Sequence, residues 1–308
     1  MNGVFAVAKQ YIHRAIAYLV SFIIRPGAVF DPVNFRLWEK RNYHITPVHF
    51  HYPIPDTREL QRAYPNPTES PGLDLRPEFQ LGLLKEVFPQ FSAEYNAFPV
   101  KPSDSESFYL ENDAFNGIDP HVYYGFVRHF KPRTVIEVGS GYSTLLGVHA
   151  CRMNGVTRYI CIDPWPRDFI SNGVRDIEFM HRKVEKADIS LFLALRQNDI
   201  LFVDSSHVVR TGEDVCFIIL EILPRLSEGV IIHFHDIFLP FEYPRELVVE
   251  KHLFWTEQYL LQAYLAENSH IEVLFASNFI SKKYLQEVKG AFPKALWHGG
   301  GSFWLIKR

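Results

Sequence analysis

Cysteine is scarce. Cys151, Cys161 and Cys216 are the three in 308 residues, an odd number with no C-x-x-C spacing, which excludes a disulfide framework and a cysteine zinc site. A reducing compartment follows, and the cytoplasm is the expected location. Charge of either sign is nearly balanced, with a formal net charge of -3 and a pI near 6.5. No overall basic field exists to hold a phosphate backbone, so nucleic acid is not an expected partner. Long apolar runs are missing too. The longest, Ala15 to Ile24, is interrupted by Ser21 and falls well short of the ~18 residues that a spanning helix needs. Lys9 and Arg14 precede it, Arg25, Pro26 and Gly27 follow, and no A-x-A cleavage pattern comes after it. The segment reads as an amphipathic helix, packed on its own domain or in peripheral contact with a membrane surface. Repeats and low-complexity tracts are absent. What is present is a 47% hydrophobic, 22% charged chain rich in aromatics, including 26 Phe, the composition of a globular protein with one large or two ordinary domains.

Residues 53 to 102 hold nine of the twenty prolines, a density that breaks long regular elements. One helix is expected within it, where Phe79, Leu83, Leu84, Val87 and Phe88 share a face after Pro77. From about residue 119 the texture changes to short β-branched runs alternating with helical segments, the pattern of a parallel sheet. Strands are expected at 134–138, 158–162, 177–180, 200–204, 230–234, 271–275 and 303–306. The clearest helix runs from Arg210 to Leu226, with Val215, Ile218, Ile219 and Ile222 forming a buried stripe and Pro224 bending or ending it. A second helical stretch is expected from Arg245 to Glu267, polar at Glu250, Glu257 and Gln262. The chain thus divides at 118/119 into a Pro-rich extension, able to cap an active site, and an α/β domain.

The sharpest motif is the strand Val135 to Val138 running through Gly139, Ser140 and Gly141 into a helix at Tyr142. Glycines let backbone approach a ligand closely, and the following helix start offers free N–H groups. A dinucleotide site would want a third glycine where Thr144 stands, which weakens a nicotinamide oxidoreductase reading. The E-x-G-x-G from Glu137 to Gly141, with Asp163 closing the next strand, resembles class I S-adenosylmethionine (SAM) methyltransferases over residues 119 to 308. The resemblance implies a Rossmann-like fold with a seven-stranded, mostly parallel sheet and a C-terminal antiparallel hairpin. It also implies SAM as cofactor, with Gly139 and Gly141 making room for its methionine moiety and Asp163 accepting from the ribose hydroxyls. Glu137, Ser140, Asp204 and Trp165, the last with a ring that would suit adenine, complete the expected cofactor set. A glycine turn serving only close packing is the plain alternative.

Two further strands end in polar clusters, Asp204-Ser205-Ser206-His207 and His235-Asp236-Ile237. They resemble the bacterial macrocin O-methyltransferase-like and catechol-type branch, which implies that Asp204, His235 and Asp236 would hold a divalent cation such as Mg or Mn. The catechol-type pattern has Asp-Asn where His235-Asp236 stands, a departure that bears on the metal. His207, His235 and Asp204 are the candidate catalytic residues, an imidazole of near-neutral pKa being suited to removing a hydroxyl proton. His207 capping the next helix is the plain alternative, and His233 reads as a core histidine. Tyr109, Asn112 and Phe115 are candidates for shaping the acceptor pocket, and Glu185 is a possible cofactor neighbour. His49 and His51 form an H-x-H without an evident third ligand. The segment 43–56 looks like extensions on bacterial methyltransferases. Together these readings give an O-methyltransferase for a hydroxyl on a small molecule or saccharide, against a non-catalytic binding or scaffold protein of the same fold.

Overall fold

The structure is a computed structural model that describes residues 2–24, 26–29, 31–102, 107–155, 157–171 and 173–308, with backbone only for 2–9 and 26. Five apolar runs pair in parallel: β1 (Thr134–Val138), β2 (Arg158–Ile162), β3 (Glu178–Met180), β4 (Ile200–Val203) and β5 (Ile231–Phe234). Two more, β6 (Ile271–Ala276) and β7 (Phe303–Lys307), form the expected antiparallel hairpin, and β7 inserts between β5 and β6. The order β3-β2-β1-β4-β5-β7-β6 among the described residues is that of the Rossmann-like class I methyltransferase fold. The first strand of each wing flanks β1, so the order reverses between β1 and β4, the position where open α/β sheets bind ligands at their carboxyl edge. The register pairs Phe234 with Phe303 and Ala276 with Phe303, which brings the end of β6 and the start of β7 to that same edge.

The central parallel strands β1, β4 and β5 are buried on both faces, as parallel pairing under two helical layers requires. One face packs Val135, Tyr159 and Phe202 against helices α1 (Asp119–Phe130) and α2 (Tyr142–Asn154). The other packs Ile136, Leu201 and Ile232 against the helix over 214–225 and against α3 (Glu257–Leu265). In the 214–225 helix Val215, Ile218, Ile219 and Ile222 are all fully buried, as the stripe predicts. Its turns widen over Phe217–Ile222 and tighten over Leu223–Arg225, where Pro224 has no N–H to give.

The helix expected from Arg245 to Glu267 is two pieces, Glu246–Glu250 and α3. His252 takes a left-handed conformation (φ 57°), and the N–H groups of Thr256 and Glu257 donate to the His207 carbonyl at 2.9 and 3.0 Å instead of continuing the helix. A non-local acceptor has overridden a local pattern.

The chain divides into two compact units, 1–64 and 65–308. The composition boundary at 118/119 falls inside the second, because Leu84, Phe88, Tyr95, Phe108 and Phe115 share one core cluster with Tyr123 and Phe202. In the first unit a helix spans Asn2–Ile23, with Tyr11, Ile12, Tyr18, Leu19, Phe22 and Ile23 exposed along it. A second helix, Pro32–Glu39, starts where the Asp31 carboxylate accepts from the N–H groups of Val33 and Asn34. Among the described residues no helix is long and apolar enough to cross a membrane.

Candidate functional site

Gly139 follows β1 with φ +83°, and a Cβ on it would stand 1.8 Å from the carbonyl oxygen of Asp204. Sheet register causes this: Val138 pairs with Val203, so the two chain ends leave the sheet side by side. Only glycine permits both the conformation and the approach. Around Gly141 a Cβ would meet nothing within 4 Å, leaving open space beside the start of α2. Asp163, at the end of β2, accepts from the Ser140 N–H (2.9 Å) and hydroxyl (2.7 Å) through Oδ2 and from the Trp165 N–H (2.7 Å) through Oδ1. Ser140 and Asp163 thus fix each other, and Oδ1, with one partner, retains a second lone pair. A cleft of about 300 Å³ opens over these groups, lined by Gly139, Asp163, Trp165, Glu185, Asp204 and Arg210 among others. The Trp165 ring is 78% exposed, with Lys183 Nζ 5.9 Å from its centre. A glycine-floored cleft lined with acids and carrying an open aromatic face fits a nucleoside bearing a sulfonium side chain, so the residues present fit SAM.

Glu137 stands apart from this cleft. Its carboxylate is fully buried beneath the turn, accepting from Ser143 Oγ at 2.5 Å and Tyr159 Oη at 2.7 Å. It supports the glycine turn and the first turn of α2. Burial, only partly offset by those hydrogen bonds, pushes its pKa up to about 7. A carboxyl raised in the folded state contributes stability that is complete below its ordinary pKa and fades as pH climbs through 7. The loss is at most about 3 kcal/mol. Glu137→Gln should therefore gain on the parent between pH 5 and pH 8, by up to roughly 10 °C in melting temperature. Parallel melting curves across that range, read by scanning calorimetry, would refute the assignment.

Beside the cleft, β4 and β5 deliver Asp204, His207, His235 and Asp236 to one place. His207 Nε2 lies 3.2 Å from Asp204 and 3.7 Å from Asp236, and its Nδ1 lies 2.9 Å from Glu257. His235 Nδ1 lies 3.8 Å from Asp204 and 3.7 Å from Asp236, and its Nε2 lies 3.5 Å from Asp119. His207 and Asp236 both hold left-handed backbone, at φ 60° and 56°. Burial disfavours charge on His207, yet the hydrogen bonds to Asp204 and Glu257 push its pKa up to about 10. Burial likewise opposes charge on His235, and Asp236, Asp204 and Asp119 overcome it and raise its pKa well above the ordinary imidazole range. Asp204 and Asp236 are held below the usual carboxylate range, against burial, chiefly by His235. Both imidazoles thus have their pKa raised above the near-neutral range expected from the sequence, because each sits among carboxylates.

The same pairing bears on the expected cation. Asp204, His235 and Asp236 do come together, with His235 Nδ1 at 3.8 and 3.7 Å from the two carboxylates. Among the described residues no group of three or more His, Cys, Asp or Glu side chains is arranged to hold a metal ion. His233 is a core histidine, stacked on Phe202 at 3.8 Å with Nε2 2.9 Å from Ser302 Oγ. His49 and His51 lie in the first unit with exposed, stacked rings 5.2 Å apart.

Of the residues expected to shape an acceptor pocket, Phe115 packs its ring 5.3 Å from that of His235. Asn112 is a staple for the loop that carries it, accepting from the N–H groups of Ala114 and Phe115 and donating to the Tyr109 and Phe115 carbonyls. The Tyr109 hydroxyl meets that of Tyr142 at 2.9 Å. Sequence reasoning missed Asp119, Trp255, Glu257 and the glycine run 299–301. Asp119 accepts from the N–H groups of Gly301 (2.7 Å) and Ser302 (3.2 Å). A Cβ on Gly300 would reach 2.2 Å from Asp119 Oδ1, and one on Gly301 would reach 3.0 Å from Asp236 Oδ1. Trp255 packs its ring 4.6 Å from that of His207. The G-G-G-S run just before a strand was the one signal available for any of these.

Residues 136–237 match a family described as a methyltransferase domain, a span that runs from within β1 through β5 and includes Gly139, Asp163, Asp204, His207, His235 and Asp236. An uncharacterized protein of Archaeoglobus fulgidus is 29% identical over 167 residues, 50% of this chain and 75% of that one. Similar solved structures include the O-methyltransferase TomG from Streptomyces achromogenes in complex with SAM (15% identity, 72% of this chain and 89% of that chain, TM-score 0.35). The plantazolicin methyltransferase BpumL in complex with S-adenosylhomocysteine (SAH) is 11% identical over 82% of this chain and 97% of its own, with TM-score 0.39. An O-methyltransferase from Bacillus cereus, also with SAH, is 12% identical over 82% and 96%, with TM-score 0.36.

Proposed function

We propose that this chain is a SAM-dependent methyltransferase acting on a hydroxyl of a small molecule or saccharide. The observation that carries the reading is the juxtaposition of the glycine-floored cleft at Gly139 and Asp163 with the carboxylate and imidazolium cluster at Asp204, the residue common to both. When bound, SAM supplies an electrophilic methyl group on a sulfonium. Gly139 and Gly141 leave room for its amino-acid end, Asp163 receives the ribose hydroxyls and Trp165 covers the base.

Asp204 and Asp236 then orient the acceptor hydroxyl and receive its proton. A carboxylate suffices for this, because an alcohol oxygen that has gained a methyl group is a very strong acid. Placement of the base matters more than its strength. His207 and His235 keep both carboxylates charged and hold them in place. No step of this scheme calls for a cation. A scaffold of the same fold without turnover is the competing reading, and the matched domain alone does not separate the two.

The test is SAH titration by calorimetry, with Asp163→Ala expected to weaken binding by about tenfold or more, a charge-assisted hydrogen-bond pair being lost. A parent protein that binds no SAH defeats the reading. SAH release over a panel of hydroxylated acceptors separates enzyme from scaffold.

A further inference from the structure

The cofactor cleft occupies the carboxyl edge over β1, β2 and β4. A second cavity, with about 460 Å³ of space, lies at the same edge beyond β5, where β6 ends and β7 begins. Its chemistry is opposite in sign. The cofactor cleft holds Asp163, Glu185, Asp204, Glu213 and Asp214, whereas no acid lines the second cavity among the described residues. Lys282, Lys289 and His298 line it, and neither lysine has a carboxylate partner within ion-pair distance among the described residues. Lys282 Nζ sits 4.1 Å over the ring of Phe241, in the loop that follows Asp236, and burial lowers its pKa.

Trp297 forms one wall. Its Nε1 donates to Asn116 at 2.9 Å, its ring lies across Gly299, where a Cβ would come within 1.9 Å, and half its surface remains open. Ser281 Oγ and Asn278 Oδ1, also in the lining, are buried without hydrogen-bond partners, and Ser281 is only 7% exposed. Asn278 reaches the Gly300 carbonyl at 3.4 Å, and the next peptide N–H, that of Gly301, binds Asp119 beside His235. The glycine run thus links the wall of this cavity to Asp119 beside His235.

We infer that this cavity is the distal half of the acceptor site and takes a phosphoryl or pyrophosphoryl group borne by the acceptor, with Trp297 stacking on the ring attached to it. Two lysines without counter-ions suit a compact polyanion, and an open indole face beside them suits a sugar or base. The inference rests on the methyl-transfer reading for the word acceptor, and on the cavity alone for the anion.

The test uses the full chain and inorganic pyrophosphate as the probe, followed by calorimetry at low salt, with SAH titrated separately into the same preparations. Saturable binding is expected in the parent, weakened tenfold or more in Lys282→Gln/Lys289→Gln and unchanged in the control Lys85→Gln. UDP-glucose should displace pyrophosphate and methyl glucoside should not, which distinguishes an acceptor-borne phosphoryl group from a site for free phosphate. Absence of saturable pyrophosphate binding, equal binding by the double variant, or failure of UDP-glucose to compete overturns the inference. Loss of SAH binding with pyrophosphate binding intact would sink the methyl-transfer reading and leave the anion site standing.

Discussion

Asp204→Asn is expected to lower methyl transfer by roughly 10²–10⁴-fold, the range for removing a positioned proton acceptor, while SAH binding changes by less than about tenfold. Asparagine keeps the shape of the side chain and loses the charge that both His207 and His235 face. Asp204 is the member of the cluster that also lines the cofactor cleft, and its side chain is 34% exposed, so a hydroxyl can reach it without rearrangement. SAH formation under single-turnover conditions, paired with SAH calorimetry, reads the two effects separately. Turnover within fivefold of the parent would move the proton to Asp236 or to solvent and remove Asp204 from the mechanism.

Glu257→Ala should destabilise the protein by about 3–5 kcal/mol, the usual penalty for removing one partner of a buried ion pair. Glu257 is 1% exposed, and its Oε2 lies 2.9 Å from His207 Nδ1. Truncation leaves a buried imidazolium facing an empty space on one side. Glu257→Gln keeps an acceptor oxygen there and should cost markedly less. Urea unfolding at neutral pH measures both. If each variant costs under about 1 kcal/mol, His207 is neutral in the folded protein, and the charge pattern described for the cluster is wrong.

The sheet was legible because parallel strands covered on both faces must be continuous apolar runs. Each of the seven was placed to within a residue at either end of those observed. The strand-end acids and histidines were legible for a related reason. At the carboxyl edge of such a strand the sequence turns abruptly from apolar to polar, as it does at Val203-Asp204 and Phe234-His235. What could not be read was anything fixed by distant chain. Glu257 looked like one polar position on an amphipathic helix, since nothing local announces that the His207 carbonyl interrupts that helix and turns Glu257 inward. Nothing local singles out Asp119, whose partners lie some 180 residues away at Gly301 and Ser302. The upward pKa shifts of the two histidines were out of reach for the same cause, because an imidazole's pKa follows from which carboxylates surround it.

The left-handed backbone at His207 and Asp236 ties function to a standing disadvantage. Each residue occupies a conformation that L side chains adopt at a penalty of about 1 kcal/mol or more, and that glycine or asparagine adopts readily. Evolution toward heat endurance alone would erode this centre from within, drifting to the more comfortable residue at position 236 and surrendering a negative charge. Stability and chemistry thus pull in opposite directions at Asp236.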